Sequence, residues 1–122
     1  MSDYKPDIHK ELFDVSETGD LDRVRELLEA GADPDKYKSW TGWTALHYAA
    51  YNGHNEVVKT LIQAKCDVNM KNESGSTALH HATSNGHYEV VIILLESGAD
   101  PDIRMKGGQT PIDLTENEKI VG

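Results

Sequence analysis

The chain has 122 residues, 38% of them hydrophobic and 27% charged, with a formal net charge of −9. That composition suits one soluble domain with a modest core, and the negative charge works against phosphate backbones, which are bound through Lys and Arg. No apolar run approaches the ~20 residues that a bilayer crossing needs, and the first ten residues lack the hydrophobic centre of a secretory signal. The expectation is no nucleic acid and no membrane; Cys66, the one cysteine, can form no internal disulfide and fits a reducing cytoplasm or nucleus.

The acid is concentrated at the start. Residues 1–35 hold eleven Asp and Glu against four Lys and Arg, whereas residues 36–122 hold ten against eight. The first predicted helices run over roughly 7–18 and 20–29. Arg23 then stands where later units have Val57 and Val90, which suits a helix that begins a stack and would otherwise show an apolar residue to solvent.

From Thr44 the chain reads TALHYAAYNGHNEVV, and from Thr77 it reads TALHHATSNGHYEVV. Laying Gly42–Lys71 over Gly75–Arg104 gives fourteen identities in thirty positions without a gap. A fixed period of this length marks a repeat architecture. Thr44, Thr77 and Thr110 are 33 apart, while Gly19, Gly53 and Gly86 are 34 and 33 apart, so the extra residue falls between Tyr37 and Trp43. TGDLDRVRELLEAGADPD from Thr18 is a copy of the second half of the unit, and GGQTPIDLT from Gly107 of the first half.

Each unit decodes as helix, tight turn, helix and projecting loop. Ala45, Leu46, Ala49 and Ala50 follow a helical spacing, and their small side chains permit close packing. Thr44 is the expected N-cap and Gly53 the residue that leaves the helix with positive φ. Val57, Val58, Leu61 and Ile62 form one stripe of a second helix. CDVN and GADPD supply turn chemistry. No single pair can bury its own stripe, so Val57–Ile62 and Val90–Leu95 are expected to join into a continuous core. The closing element should begin near Pro111 and be only a stub.

The stretches GWTALHYAAYNGH and LLESGADPD resemble the ankyrin repeat, over about residues 11–115. The resemblance implies an all-α solenoid of stacked antiparallel helix pairs with projecting β-hairpin-like loops. The expected layout is a single domain over 1–122: a capping repeat at 11–37, repeats at 38–71 and 72–104, and a truncated capping repeat at 105–122. In size and in the clipped last repeat the chain resembles the small stand-alone members. Ala45 and Ala78 depart from the family's proline after threonine. Lys65 stands in place of its glycine, at a position where a β-carbon resists positive φ.

The six histidines invite a metal or a catalytic base. His47 and His80 hold equivalent positions, about 8–10 Å apart in packed helices, too far to share one ion. The resemblance gives them instead the tying of neighbouring hairpins, and His54 and His87, after the turn glycine, read as caps. Cys66 aligns with Ala32 and Ala99 and reads as a small buried thiol. No phosphate loop, nucleophile elbow or metalloprotease motif is present. The expectation is therefore no enzyme, no cofactor and no metal.

If shared positions build the scaffold, the positions that vary between copies should carry function, and the family presents its fingertips and inner helices as one concave face. The candidates for partner binding are Tyr37, Trp40 and Trp43 on the first fingertip and Tyr51 and Asn52 on the first full inner helix. Glu73, Ser84 and Asn85 follow in the next repeat, and Arg104 on the third fingertip. Five of the eight aromatic residues fall between Tyr37 and Tyr51, and aromatics are common interface anchors; Trp40 and Tyr51 are expected to stand exposed as contacts, and Trp43 to cover the hairpin below. The leading function is a protein–protein interaction module, monomeric alone, whose partner is another protein. The alternative is a structural or targeting segment of a larger polypeptide. One modification is also expected from resemblance: LIQAKCDVN, with Leu61 eight residues before Asn69, is similar to the target of the oxygen-sensing asparaginyl hydroxylase.

Overall fold

The computed structural model describes residues 6–115. Among the described residues six helices follow one another in chain order: α1 Ile8–Thr18, α2 Leu21–Glu29, α3 Ala45–Tyr51, α4 Asn55–Gln63, α5 Ala78–Ser84 and α6 Tyr88–Glu96. A single 3-10 turn, Pro111–Leu114, ends the described part. No strand is present among the described residues. The closing helix expected near Pro111 is thus four residues long, and the remainder of the expected last repeat, residues 116–122, lies outside the described residues, as do residues 1–5.

The helices make two layers. α1, α3, α5 and the 3-10 turn pack side by side as the inner layer, α2, α4 and α6 as the outer, and each inner helix contacts the outer helix that follows it. α3 and α5 have only seven residues each, too few to stand alone in water. They hold because the N-terminus of each is capped and its apolar face is buried. The Thr44 hydroxyl accepts from the His47 N–H and the Thr77 hydroxyl from the His80 N–H; Asp7 and Asp20 carboxylates do the same for α1 and α2.

One continuous core runs through the stack, built from Leu12, Val24, Leu27, Leu46, Val57, Val58, Leu61, Leu79, Val90 and Leu94 with the alanines between them. At the first helix pair Arg23 is a strut rather than a merely solvated residue: its Nε and a terminal nitrogen donate to the two Glu11 oxygens at 2.7 and 3.0 Å. That pairing holds the Glu11 carboxyl below its ordinary range.

The turn glycine between inner and outer helices is required twice over. Gly53 has φ 72°, and a β-carbon there would lie 2.7 Å from the His87 ring. That ring and its counterpart His54 correct the capping expectation. Both residues occupy the N-cap position of an outer helix, yet neither side chain caps it. Instead His54 Nε2 donates to the Glu17 carbonyl at 2.8 Å and His87 Nε2 to the Tyr51 carbonyl at 2.9 Å. Each binds one repeat to the carboxyl end of the inner helix before it. Lys65 has φ 68° and is the one non-glycine residue with positive φ among those described; Gly31 and Gly98 hold the equivalent position.

Candidate functional site

Each fingertip is a short hairpin-like turn closed by its own backbone. Ser39 N–H donates to Trp43 O, Asn72 N–H to Ser76 O and Met105 N–H to Gln109 O, all at 2.9 Å. Adjacent fingertips are joined as well: Glu73 N–H donates to Thr41 O and Lys106 N–H to Ser74 O, each at 2.9 Å. The approach is close enough that a β-carbon on Gly42 would meet the Glu73 nitrogen at 3.1 Å. Their bases are tied from within. His47 Nδ1 accepts from Thr44 N–H at 3.0 Å while its Nε2 donates to the Ser76 carbonyl at 3.0 Å. His80 repeats this with Thr77 N–H and the Gln109 carbonyl, at 3.0 and 3.1 Å. Burial depresses the pKa of both rings, which keeps them in the neutral tautomer that these bonds need.

The closing bond from Ser39 to Trp43 decides which tryptophan faces out. Trp43 sits at the base of the turn, half-buried, stacked on His81 with ring centroids 4.1 Å apart and 24° between planes. Tyr48 and Tyr51 flank it at 4.6 and 5.4 Å. Tyr37 is also half-buried and meets Phe13 edge-on at 5.0 Å, as Tyr48 does at 5.1 Å. Trp40, at the tip, is 97% exposed, and Tyr51 is 42% exposed at the edge of the ring cluster. The aromatic candidates therefore divide: Tyr37 and Trp43 are engaged in the wall, Trp40 and Tyr51 offer surface. His81 belongs to the same wall; its Nε2 accepts from Asn72 Nδ2 at 3.3 Å, and burial pulls its pKa down to about 3.

The polar candidates spread along the inner helices and tips. Glu73, Ser84 and Arg104 are exposed, with an Arg104 nitrogen donating to the Gly108 carbonyl at 2.8 Å. Asn52 and Asn85 are exposed too, but each amide nitrogen already serves the stack, donating to Glu17 O at 3.2 Å and Tyr51 O at 2.9 Å. Asn69 is half-buried on the opposite loops: its Nδ2 donates to Gly98 O at 3.3 Å and its Oδ1 accepts from Asp100 N–H at 2.8 Å. It belongs to a ladder that sequence reading missed. His9 Nδ1 accepts from Asp33 N–H and the Asp35 carboxylate from Asp67 N–H, both at 2.9 Å. Asp35 and Asn69 occupy equivalent positions in successive units, and that equivalence was the available signal.

Cys66 is half-buried, and burial pushes its thiol up to about 12. It stays protonated at neutral pH and is a poor nucleophile. Among the described residues no three His, Cys, Asp or Glu side chains converge as metal ligands, and no helix is long and apolar enough to cross a membrane.

Comparison with known proteins agrees with this architecture. A family model described as "Ankyrin repeats (3 copies)" matches residues 12–105. Among curated proteins, the chain is similar to "Ankyrin repeat domain-containing protein 39" of Homo sapiens, 41% identical over 63 residues, covering 50% of this chain and 34% of that protein. It is also similar to "Oxysterol-binding protein-related protein 1" of Rattus norvegicus, 38% identical over 73 residues, which are 52% of this chain and 8% of that protein. "Ankyrin repeat and SAM domain-containing protein 6" of Mus musculus is 46% identical over 54 residues, 44% of this chain and 6% of the other. The matched stretch spans about a third of the first relative and under a tenth of the other two. Period, helix-pair stack, histidine ties and the family match converge: the chain belongs to the ankyrin-repeat family.

Proposed function

We propose that this chain binds a partner protein across its fingertips and the concave face of its inner helices, with Trp40 and Tyr51 as the anchors. Ankyrin repeats are generally protein–protein interaction modules, and the observation that carries the reading here is Trp40, 97% exposed on a turn whose backbone is closed on itself. An indole held in water on a rigid support loses little entropy when a partner covers it. The neighbouring wall of Trp43, Tyr48, Tyr51 and His81 offers a firm floor beside it. In this reading the chain has no catalytic role, acts as a monomer in the cytoplasm or nucleus, and presents its two full repeats, 38–71 and 72–104, to the partner.

The test is capture from native lysate on immobilised protein, followed by titration of the captured partner. The Trp40→Ala/Tyr51→Ala variant should lose the partner while its circular dichroism stays unchanged. Equal capture by both proteins would refute the anchor assignment.

Asn69 remains a candidate for hydroxylation. Its side chain must first give up its bonds to Gly98 and Asp100, and the positive φ of Lys65 four residues earlier favours local opening. Incubation with the asparaginyl hydroxylase, 2-oxoglutarate, iron and oxygen should add one oxygen to the Asn69 peptide; an unmodified peptide would dismiss the site.

A further inference from the structure

The cations of this acidic chain are unevenly placed. Residues 36–43, 70–76 and 103–109, the three fingertips, hold five of the twelve Lys and Arg but one of the twenty-one Asp and Glu. Their balance is +4 on a chain of −9. They also share a register. Ser39, Asn72 and Met105 donate the bonds that close the three turns, and Lys38, Lys71 and Arg104 directly precede them, 33 residues apart. All three are exposed, as are Lys36 and Lys106. The bonds that join neighbouring fingertips hold the row in place before any ligand arrives.

These charges are not neutralised within the described chain. Lys10, Arg23 and Lys59, on the helices, close ion pairs at 3.0, 2.7 and 3.1 Å. Among the described residues none of the five fingertip cations has a carboxylate within the 4 Å of an ion pair. Lys38 feels Asp35, and Arg104 feels Asp113, only at longer range. The bond from Arg104 to the Gly108 carbonyl orients the guanidinium without cancelling its charge.

Resting on the protein-binding reading above, we infer that the fingertip rim docks an acidic, extended segment of the partner protein, carboxylates on Lys38, Lys71 and Arg104 and an apolar side chain against Trp40. A row of like charges on a body of opposite sign selects both the partner and its orientation. Repeats follow one another at about the 8–10 Å of packed helices, and a chain in the extended polyproline II conformation advances about 3.1 Å per residue and returns to the same face every third residue. Acidic residues about every third position therefore match the row. A nucleic acid is disfavoured, since its affinity rests on Lys and Arg neutralising many phosphates, and here Glu73 interrupts a row of five cations backed by an acidic body.

The probe is a fluorescent twelve-residue peptide with Glu at every third position, one Leu beside the first Glu and Gly or Ser elsewhere, followed by anisotropy with the full chain. Binding should be saturable, weaken at least tenfold between 50 and 200 mM salt, and vanish when Lys replaces Glu in the peptide. Lys38→Glu/Lys71→Glu/Arg104→Glu should lower affinity about a hundredfold or more. Arg25→Glu/Lys59→Glu/Lys65→Glu, an equal charge change away from the rim, should lower it less than threefold. Circular dichroism checks each fold; were the rim triple variant misfolded, Lys71→Gln alone should still cost about threefold. No saturable binding, equal loss in both triple variants, or tighter binding of a 20-base-pair DNA or phosphatidylserine vesicles would overturn the inference. If Trp40→Ala/Tyr51→Ala loses the lysate partner while the rim triple variant keeps it, the charge row is wrong and the protein-binding reading stands. If the rim triple variant loses the partner and Trp40→Ala/Tyr51→Ala keeps it, the row stands and the aromatic anchors fail.

Discussion

His47 and Trp40 lie seven residues apart in one repeat and follow opposite rules. The histidine recurs as His80, is 1% exposed, and bonds to the threonine of its own helix and the fingertip of the next repeat. The tryptophan recurs nowhere in register, since Glu73 and Lys106 take its place, and it is 97% exposed. The contrast between spine and rim teaches that a buried repeated position is answerable to the neighbouring repeat, whereas an exposed one, repeated or not, is left free to serve something outside the chain. The ends of the spine make the same point. Leu46 and Leu79 are buried at 4% and 2%, yet their equivalent Ile112 is 51% exposed, because no described helix follows it.

The sharpest way to break the comparison is inside the spine. Leu61→Ala should destabilise by about 2–5 kcal/mol, through lost transfer energy and the cavity left behind. Leu95→Ala, on a helix face that no described element covers, should cost under about 1 kcal/mol. A urea titration measures both, and it should show one transition for the whole stack; two separated transitions would mean that the repeats do not depend on one another.

Acid should attack the spine next. His47, His80 and His81 all have folded pKa values depressed by burial, so the unfolded chain, with ordinary values near 6.5, binds more protons. Their contribution is complete above about pH 6.5 and is lost as the pH falls toward the depressed values, at most about 1.4 kcal/mol per unit for each ring. His81, pulled down to about 3, extends this window furthest. His81→Tyr, which copies Tyr48 at the equivalent position, should flatten the fall in stability between pH 6 and 4; an unchanged slope would show that the ring titrates without penalty.

A smaller effect has the opposite sign. Ser16 is fully buried, and its hydroxyl has no hydrogen-bond partner among the described residues, while Ala50 holds the equivalent place one repeat on. Ser16→Ala should stabilise by about 1 kcal/mol, the cost of an unsatisfied buried hydroxyl. Calorimetry checks it, and a lower melting temperature would reveal a bond that the hydroxyl does make.

Much of this was legible from the chain. The 33-residue spacing of Thr44, Thr77 and Thr110 marks the repeat, and the i, i+3, i+4 pattern of apolar residues marks which faces are buried. The roles of His54 and His87 were not legible, because capping chemistry is local whereas their partners stand 37 and 36 residues earlier. The difference between Trp40 and Trp43 was legible in outline, as the expectation that Trp40 stands exposed and Trp43 covers the hairpin, but not its cause. Both lie in one loop, and only the Ser39–Trp43 closing bond sets one at the base and the other at the tip. The loop ladder of His9, Asp35 and Asn69 was written in the repeat register, but Asp and Asn in a turn already have a sufficient local explanation.

The central claim is that the rim binds while the spine folds, and Trp40→Ala tests it most directly. With the captured partner in hand, its dissociation constant and the melting temperature of the variant are measured together. The account predicts a loss of affinity of about thirtyfold, corresponding to the ~2 kcal/mol of an aromatic hot spot, with a melting temperature within about 1 °C of the parent, as for surface substitutions that touch little. Unchanged affinity, or a stack that melts many degrees earlier, would contradict it.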